Sequence, residues 1–268
     1  VKFRIILPPV GGLFSQLHMG ICILIKETNL EDVEAFNLSP SSIYINKKDN
    51  YIIESFSGIY EMTDDDSYIQ IKDDNITIEY DKYLSLSNPF SSIDIVKSLL
   101  SKIRIKQEFL SSVDDYVNSF NINKNTLGVH IRLTDMNKYH TNEYGNLYYD
   151  DFLMKIKKVL KDNSSIDNIF ISSDNYESIE KIKKDLDDIK ISYIENIKRC
   201  ELETSDNYQF QLDNLKSDEY IKSTFTEMYL LSKCSYLVHR ISGFALFAIL
   251  YSETLSEDRV FQIKNEEK

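Results

Sequence analysis

In the run Leu127-Gly128-Val129-His130-Ile131-Arg132-Leu133-Thr134-Asp135, an apolar strand-like stretch delivers an imidazole, a guanidinium and a carboxylate close together. Alternate residues of a strand share a face, so His130 and Arg132 are expected to point the same way where the strand ends. A guanidinium is planar and always charged, and its fork suits a phosphate. The polar stretch that follows, 136–146, reads as a loop. Blander readings stay open beside this one. His130 also fits a packed core histidine, Arg132 an ion-pair partner of Asp135 or Asp174, and Asp135 a cap for the next turn.

An alternation of strands and helices must position these groups. Strand 126–131 precedes helix 149–161, strand 168–172 precedes helix 176–186, and strand 190–194 precedes a long polar segment, 198–216. Helix 220–233 then precedes strand 235–238, and helix 242–251 precedes strand 259–263. This alternation builds a parallel sheet with right-handed crossovers. In the doubly wound order 3-2-1-4-5 the first and fourth strands are neighbours, and the crevice at their carboxyl ends is the usual ligand site. The first strand of this half ends at His130 and Arg132, the fourth at His239-Arg240-Ile241-Ser242. Ser242 opens a helix, where a serine caps free N–H groups and the helix terminus attracts an anion. On that order Arg132 and Ser242 converge, and a diphosphate fits both.

The first half opens in a related way. Strand 2–7, the breaker Pro8-Pro9-Val10-Gly11-Gly12 and an apolar helix over 13–28 resemble the start of a nucleotide-binding α/β unit. Short strand-like runs follow at 42–45, 51–53, 68–71 and 76–80. Helical spacing then covers 93–120, with Ile93, Val96, Leu99, Leu100 and Ile103 on one stripe. The Asn/Lys-rich link at 120–125 divides the chain into an N-terminal α/β domain, 1–122, and a C-terminal Rossmann-like domain, 123–268.

Bulk composition narrows the partners. The 268 residues, 42% of them hydrophobic, suffice for a sizeable core. With 43 acidic against 31 basic residues the net charge is -12, which disfavours nucleic acid and anionic membrane as partners. The longest apolar run, 17–25, is too short to span a bilayer. No secretory signal stands out, so the expected location is cytoplasmic or peripheral to a membrane. The chain begins at Val1, which leaves room for preceding residues. Cys22, Cys200 and Cys234 lack metal-ligand spacing; Cys22 and Cys234 read as buried thiols. Asp64-Asp65-Asp66 reads as a solvated turn and not as a metal motif. His18 reads as packed on its helix. Tyr139, Tyr144, Tyr148 and Tyr149 are candidates for lining a sugar site.

Four segments, in order, carry a family resemblance. Gly128-Val129-His130-Ile131-Arg132-Leu133-Thr134-Asp135 resembles the G-V-H-V-R-R-T-D motif of the α1,6-fucosyltransferases, of which the α1,2 and protein O-fucosyltransferases carry variants. Glu227 through Val238 is similar to their later segment, an acidic residue followed by a helix ending in L-S and then a strand. Ile169-Phe170-Ile171-Ser172-Ser173-Asp174 resembles their middle strand ending in (S/T)D, and Gly11-Gly12-Leu13-Phe14-Ser15-Gln16-Leu17 their N-terminal G-G-L-x-N-Q-L turn.

The resemblance implies an α/β GT-B fold, two Rossmann-like domains with the nucleotide-sugar site in the C-terminal one. It implies an inverting, metal-independent transfer of fucose from GDP-fucose to a glycan or glycoconjugate hydroxyl, with no cofactor. Carried over, Arg132 holds the β-phosphate, His130 lies by the nucleotide, Ser242 binds the diphosphate and Glu227 reads guanine. Asp174, Gly11 and Gly12 join the donor-binding set. A carboxylate can accept from guanine N1–H and the 2-amino group together. Arg132 and helix N–H groups would stabilise the leaving GDP in place of a metal ion.

The chain departs from the pattern just past the motif, with Leu133 and Met136 where the α1,6 enzymes have Arg and Lys. The register of the family's base falls on His140, with Glu143 close by; His140, Glu143 and Asp135 are the candidate bases, in that order. Two alternatives follow from the departures: a catalytically silent nucleotide- or glycan-binding module, and a related transferase using another sugar nucleotide.

Overall fold

The computed structural model describes the backbone of 2–6, 35–39 and 68–72, residues 14, 18, 22, 85, 105 and 137, and the stretches 88–100, 107–134, 147–201 and 218–264. Its contacts divide the chain into two compact units. The first comprises 1–112, 215–222 and 242–251, and the second 113–214, 223–241 and 252–268.

In the first unit, β1 (Lys2–Ile6) lies between β2 (Ala35–Ser39) and β3 (Tyr68–Lys72), parallel to both. Strand 68–71 is thus found, and β2 is an addition to the sequence reading. The expected strands at 42–45, 51–53 and 76–80, and Asp64 to Asp66, lie outside the described residues. Of the expected helix 13–28, Phe14, His18 and Cys22 are described, and all three are helical and buried. The long helical stretch 93–120 is two helices, α1 (Ile93–Leu100) and α2 (Gln107–Phe120), with Ile105 in an isolated bridge between them.

A left-handed Asn121, at φ 56°, ends α2. Asn121 N–H donates to the Asn118 carbonyl at 3.2 Å and Ile122 N–H to that of Val117 at 2.9 Å, the paired bonds of a Schellman stop. The Asn/Lys-rich link is therefore a helix terminator. The division between units falls earlier, within α2.

The second unit holds a five-stranded parallel sheet. Its strands are β4 (Thr126–Ile131), β5 (Asn168–Ser173), β6 (Lys190–Ser192), β7 (Tyr236–Arg240) and β8 (Val260–Ile263), in the order β6-β5-β4-β7-β8. In local numbering this is 3-2-1-4-5, the order on which the ligand crevice was placed. Helix α3 (Tyr149–Asp162) follows β4, α4 (Tyr176–Asp185) follows β5, and α5 (Asp218–Lys233) precedes β7. β7 starts one residue later than its pattern suggests and runs on through Arg240.

β4 is buried throughout because it is the central strand, covered on both faces. Leu127, Val129 and Ile131 join Phe152, Ile156 and Val159 of α3 and Ile179 and Ile182 of α4 in one core. On the other face Gly128 meets α5. A Cβ there would stand 3.0 Å from Leu231 Cδ2 and 3.2 Å from both Cβ and Sγ of Cys234. Gly128→Ala is therefore expected to destabilise the protein by roughly 1–3 kcal/mol through overpacking. A urea-denaturation midpoint unchanged from wild type would refute that. Cys22, Cys200 and Cys234 are all buried, and burial pushes the Cys234 thiol well up.

Candidate functional site at the carboxyl ends of the central strands

Parallel register sets Ser172 of β5, His130 of β4 and His239 of β7 side by side. Residues in register on parallel strands share a face, so the three form a polar row on the α5 side of the sheet. His239 Nδ1 donates to the Arg240 carbonyl at 2.9 Å, which leaves Nε2 as the unprotonated nitrogen of the neutral ring. Burial holds His239 down to about 4. His130 is held well below its ordinary value, first by burial and then by the charges of Arg132 and His239. Both imidazoles are neutral near pH 7, so this row offers polar groups without charge.

Arg132 lies one residue past the end of β4 and is half-buried. Its guanidinium is near enough to depress His130. The expected pairing of a histidine and an arginine at a strand end is thus present, although Arg132 belongs to the turn and not to the strand. The turn is held from β5: the Asp174 carboxylate accepts from Leu133 N at 3.4 Å, Thr134 N at 3.2 Å and the Thr134 hydroxyl at 2.6 Å. Asp174, expected in the donor-binding set, is engaged in fixing this turn. Leu133, at 1% exposure, is a core residue, so the position that is Arg in the α1,6 enzymes carries no cation here.

Glu227, expected by register to read guanine, has protein partners in this structure. It is buried in α5 and forms a two-pronged ion pair with Arg199, Nη2 to Oε1 and Nη1 to Oε2, the latter at 3.2 Å. Ser172 Oγ donates to Oε2 as well, at 2.9 Å. Burial works against the Arg199 charge, and the adjoining Glu227 carboxylate overrides it and raises the guanidinium above its ordinary value. Arg199 also donates to the carbonyls of Ser173 and Ile194. The carboxylate assigned to guanine by register is thus occupied in this structure, because a buried carboxylate takes the nearest matching donor.

Sequence reasoning missed Arg199, which it left in a polar segment, and gave Arg240 no role. Arg240 is 1% exposed, and its Nη1 donates to the Arg132 carbonyl at 3.3 Å and to Asn137 Oδ1 at 2.6 Å. The signal for both was the placement of a cation beside small or apolar residues, Ile197 and Cys200 for Arg199 and Ile241 for Arg240.

In the first unit, Ser242 follows β7 by two residues and is the cap of α6 (Gly243–Tyr251), its Oγ accepting from Ala245 N at 3.1 Å. Gly243 permits a close approach: a Cβ would lie 3.0 Å from the Phe14 carbonyl carbon. The Phe14 ring stacks edge-on with Phe244 at 5.1 Å. Gly11, Gly12, Asp135, His140 and Glu143 lie outside the described residues, as do Tyr139 and Tyr144. Tyr148 and Tyr149 line an open cleft with Asp150, Lys181, Lys184 and Asp185, and Tyr149 donates to Asp185 at 2.8 Å. Among the described residues no cluster of three His, Cys, Asp or Glu side chains has metal-binding geometry, and no helix is long and apolar enough to cross a membrane.

No protein-family model matches the chain, and no curated protein matches it in sequence. Solved structures match along nearly its whole length. POFUT1 in complex with GDP gives a TM-score of 0.57 at 11% identity, over 98% of this chain and 98% of its own. NodZ α-1,6-fucosyltransferase co-crystallised with GDP gives 0.54 at 13% identity, over 93% and 92%. Fucosyltransferase NodZ from Bradyrhizobium gives 0.52 at 13%, over 93% and 92%. At such identity the likeness is one of fold: the chain has the GT-B-type α/β fold of these fucosyltransferases.

Proposed function

We propose that the chain is a glycosyltransferase that moves fucose from GDP-fucose to a glycan or glycoconjugate hydroxyl, with inversion and without a metal. One observation carries the reading. The H-x-R turn leaves the central strand at the topological switch point of its sheet, where β4 and β7 part. The fold neighbours support the donor: NodZ was co-crystallised with GDP or soaked with GDP-fucose, and POFUT1 is in complex with GDP or GDP-fucose.

In this reading Arg132 faces the β-phosphate, where charge grows as the sugar–oxygen bond breaks, and stabilises it in place of a divalent ion. Neutral His130 offers a hydrogen bond beside it. Ser242, its oxygen already capping α6, has a hydroxyl hydrogen for an anion. Glu227 reads the base by exchanging Arg199, whose paired N–H donors present the same pattern as guanine N1–H and its 2-amino group. His140, Glu143 or Asp135 takes the acceptor proton.

Calorimetric titration with GDP and UDP tests the donor. GDP is expected to bind, UDP to bind more weakly, and Arg132→Ala to weaken GDP by roughly thirtyfold through loss of a charge-assisted bond. Hydrolysis of GDP-fucose should persist in EDTA. A wild-type protein that takes up no GDP ends the proposal. The core Leu133 favours a second reading, a catalytically silent nucleotide-binding module. GDP binding without hydrolysis or transfer above background would select it.

A further inference from the structure

We infer that Arg240 and Asp174 are positioning residues that lock the Arg132–Leu133 peptide group and so aim the Arg132 side chain. The inference rests on the reading of Arg132 as a diphosphate ligand. The carbonyl of Arg132 and the N–H of Leu133 belong to one planar peptide unit. Arg240, the last residue of β7, donates to that carbonyl at 3.3 Å, and Asp174, just past β5, accepts from that N–H at 3.4 Å. A cation thus sits at the negative end of the peptide dipole and an anion at its positive end. The two come from the strands that flank β4 on either side.

The grip is reinforced beyond this peptide. Asp174 also takes Thr134 N at 3.2 Å and the Thr134 hydroxyl at 2.6 Å. Arg240 donates to Asn137 Oδ1 at 2.6 Å, and Asn137 in turn holds the backbone of Leu147 by both its carbonyl, at 2.5 Å, and its N–H, at 3.2 Å. Fixing this peptide plane fixes the backbone torsion on the carboxyl side of Arg132. A side chain preset toward its ligand loses less freedom on binding. A buried guanidinium is costly unless its donors are used, and the positions where these are used mark what it does. A lysine at 240 would keep the charge and lose the planar fork.

The ratio of GDP to GMP affinity, measured by calorimetry on the full chain, reports the second phosphate and is insensitive to general loosening. Arg240→Lys and Asp174→Asn are each expected to lower that ratio about tenfold. Combined with Arg132→Ala, neither should lower it further, because both act through Arg132. An unchanged ratio in the folded single variants overturns the inference, as do losses that multiply with Arg132→Ala. If Arg240→Lys does not fold, the near-isosteric Asp174→Asn decides. A wild type that binds neither GDP nor pyrophosphate overturns the reading of Arg132 and this inference together. Wild-type binding with unaffected variants overturns the inference alone.

Discussion

Glu227→Ala is expected to destabilise the protein by roughly 3–5 kcal/mol, the usual cost of stranding one partner of a buried ion pair. Arg199, which is buried, would be left with its paired donors facing the gap that the carboxylate had filled. The loss should far exceed what the pair itself contributes. Two charges taken from water regain little more than their desolvation, even when both prongs are made. Replacing both residues by apolar ones of similar volume, Arg199→Met with Glu227→Leu, should therefore recover part of the stability that Glu227→Ala removes, the rest being lost with the bonds to Ser172 and to the Ser173 and Ile194 carbonyls. Urea denaturation followed by circular dichroism would measure all three proteins. A single variant within 1 kcal/mol (about fivefold in the folding equilibrium) of wild type would mean that the pair is not buried in solution. The double variant has a functional reading too: if Glu227 reads the base by exchanging Arg199, it folds and loses its preference for GDP over UDP.

The strands and helices of the second unit were legible because each is a run of one period bounded by a cap or a turn. Ser242, in the first unit, follows the same rule: a serine before an apolar block announced a helix start, and its oxygen makes the capping bond. The sheet order came from the doubly wound template and not from the residues, and the structure has that order. The site was legible only as far as residues close in sequence reach. His130 and Arg132 sit together because two residues of one chain segment cannot part. Glu227 and Asp174 were placed by register, and register says where a carboxylate stands but not what it touches. Their partners come from afar: Arg199 reaches Glu227 from a segment with no periodicity, and the Leu133–Thr134 turn meets Asp174 from the end of the neighbouring strand. The strand β2 was missed for another reason. Ala-Phe-Asn-Leu-Ser alternates properly, but Ala and Asn weaken its strand propensity, and its pairing with β1 supplies what local preference lacks.

Acid is expected to weaken the fold before most carboxylates titrate, because His239 and His130 are buried neutral. The sign follows from the direction of the shifts. Folding lowers His239 from its ordinary 6.5 to about 4, and lowers His130 in the same direction. Above pH 6.5 both states are neutral there and the full stability is present. Between pH 6.5 and 4 the unfolded chain binds a proton that the folded chain refuses, so stability falls as pH falls. Below about 4 both states bind it and the loss levels off. For His239 alone this amounts to roughly 2 kcal/mol by pH 5 and roughly 3 by pH 4. Carboxylates steepen the lower part of the curve, so the contribution is isolated by difference. His239→Asn should lose roughly 2 kcal/mol less than wild type between pH 7.5 and 5 when both are unfolded in urea. Parallel stability curves for the two proteins would show that His239 titrates normally, and the polar row beside Arg132 would then carry a charge whenever the pH falls below 6.5.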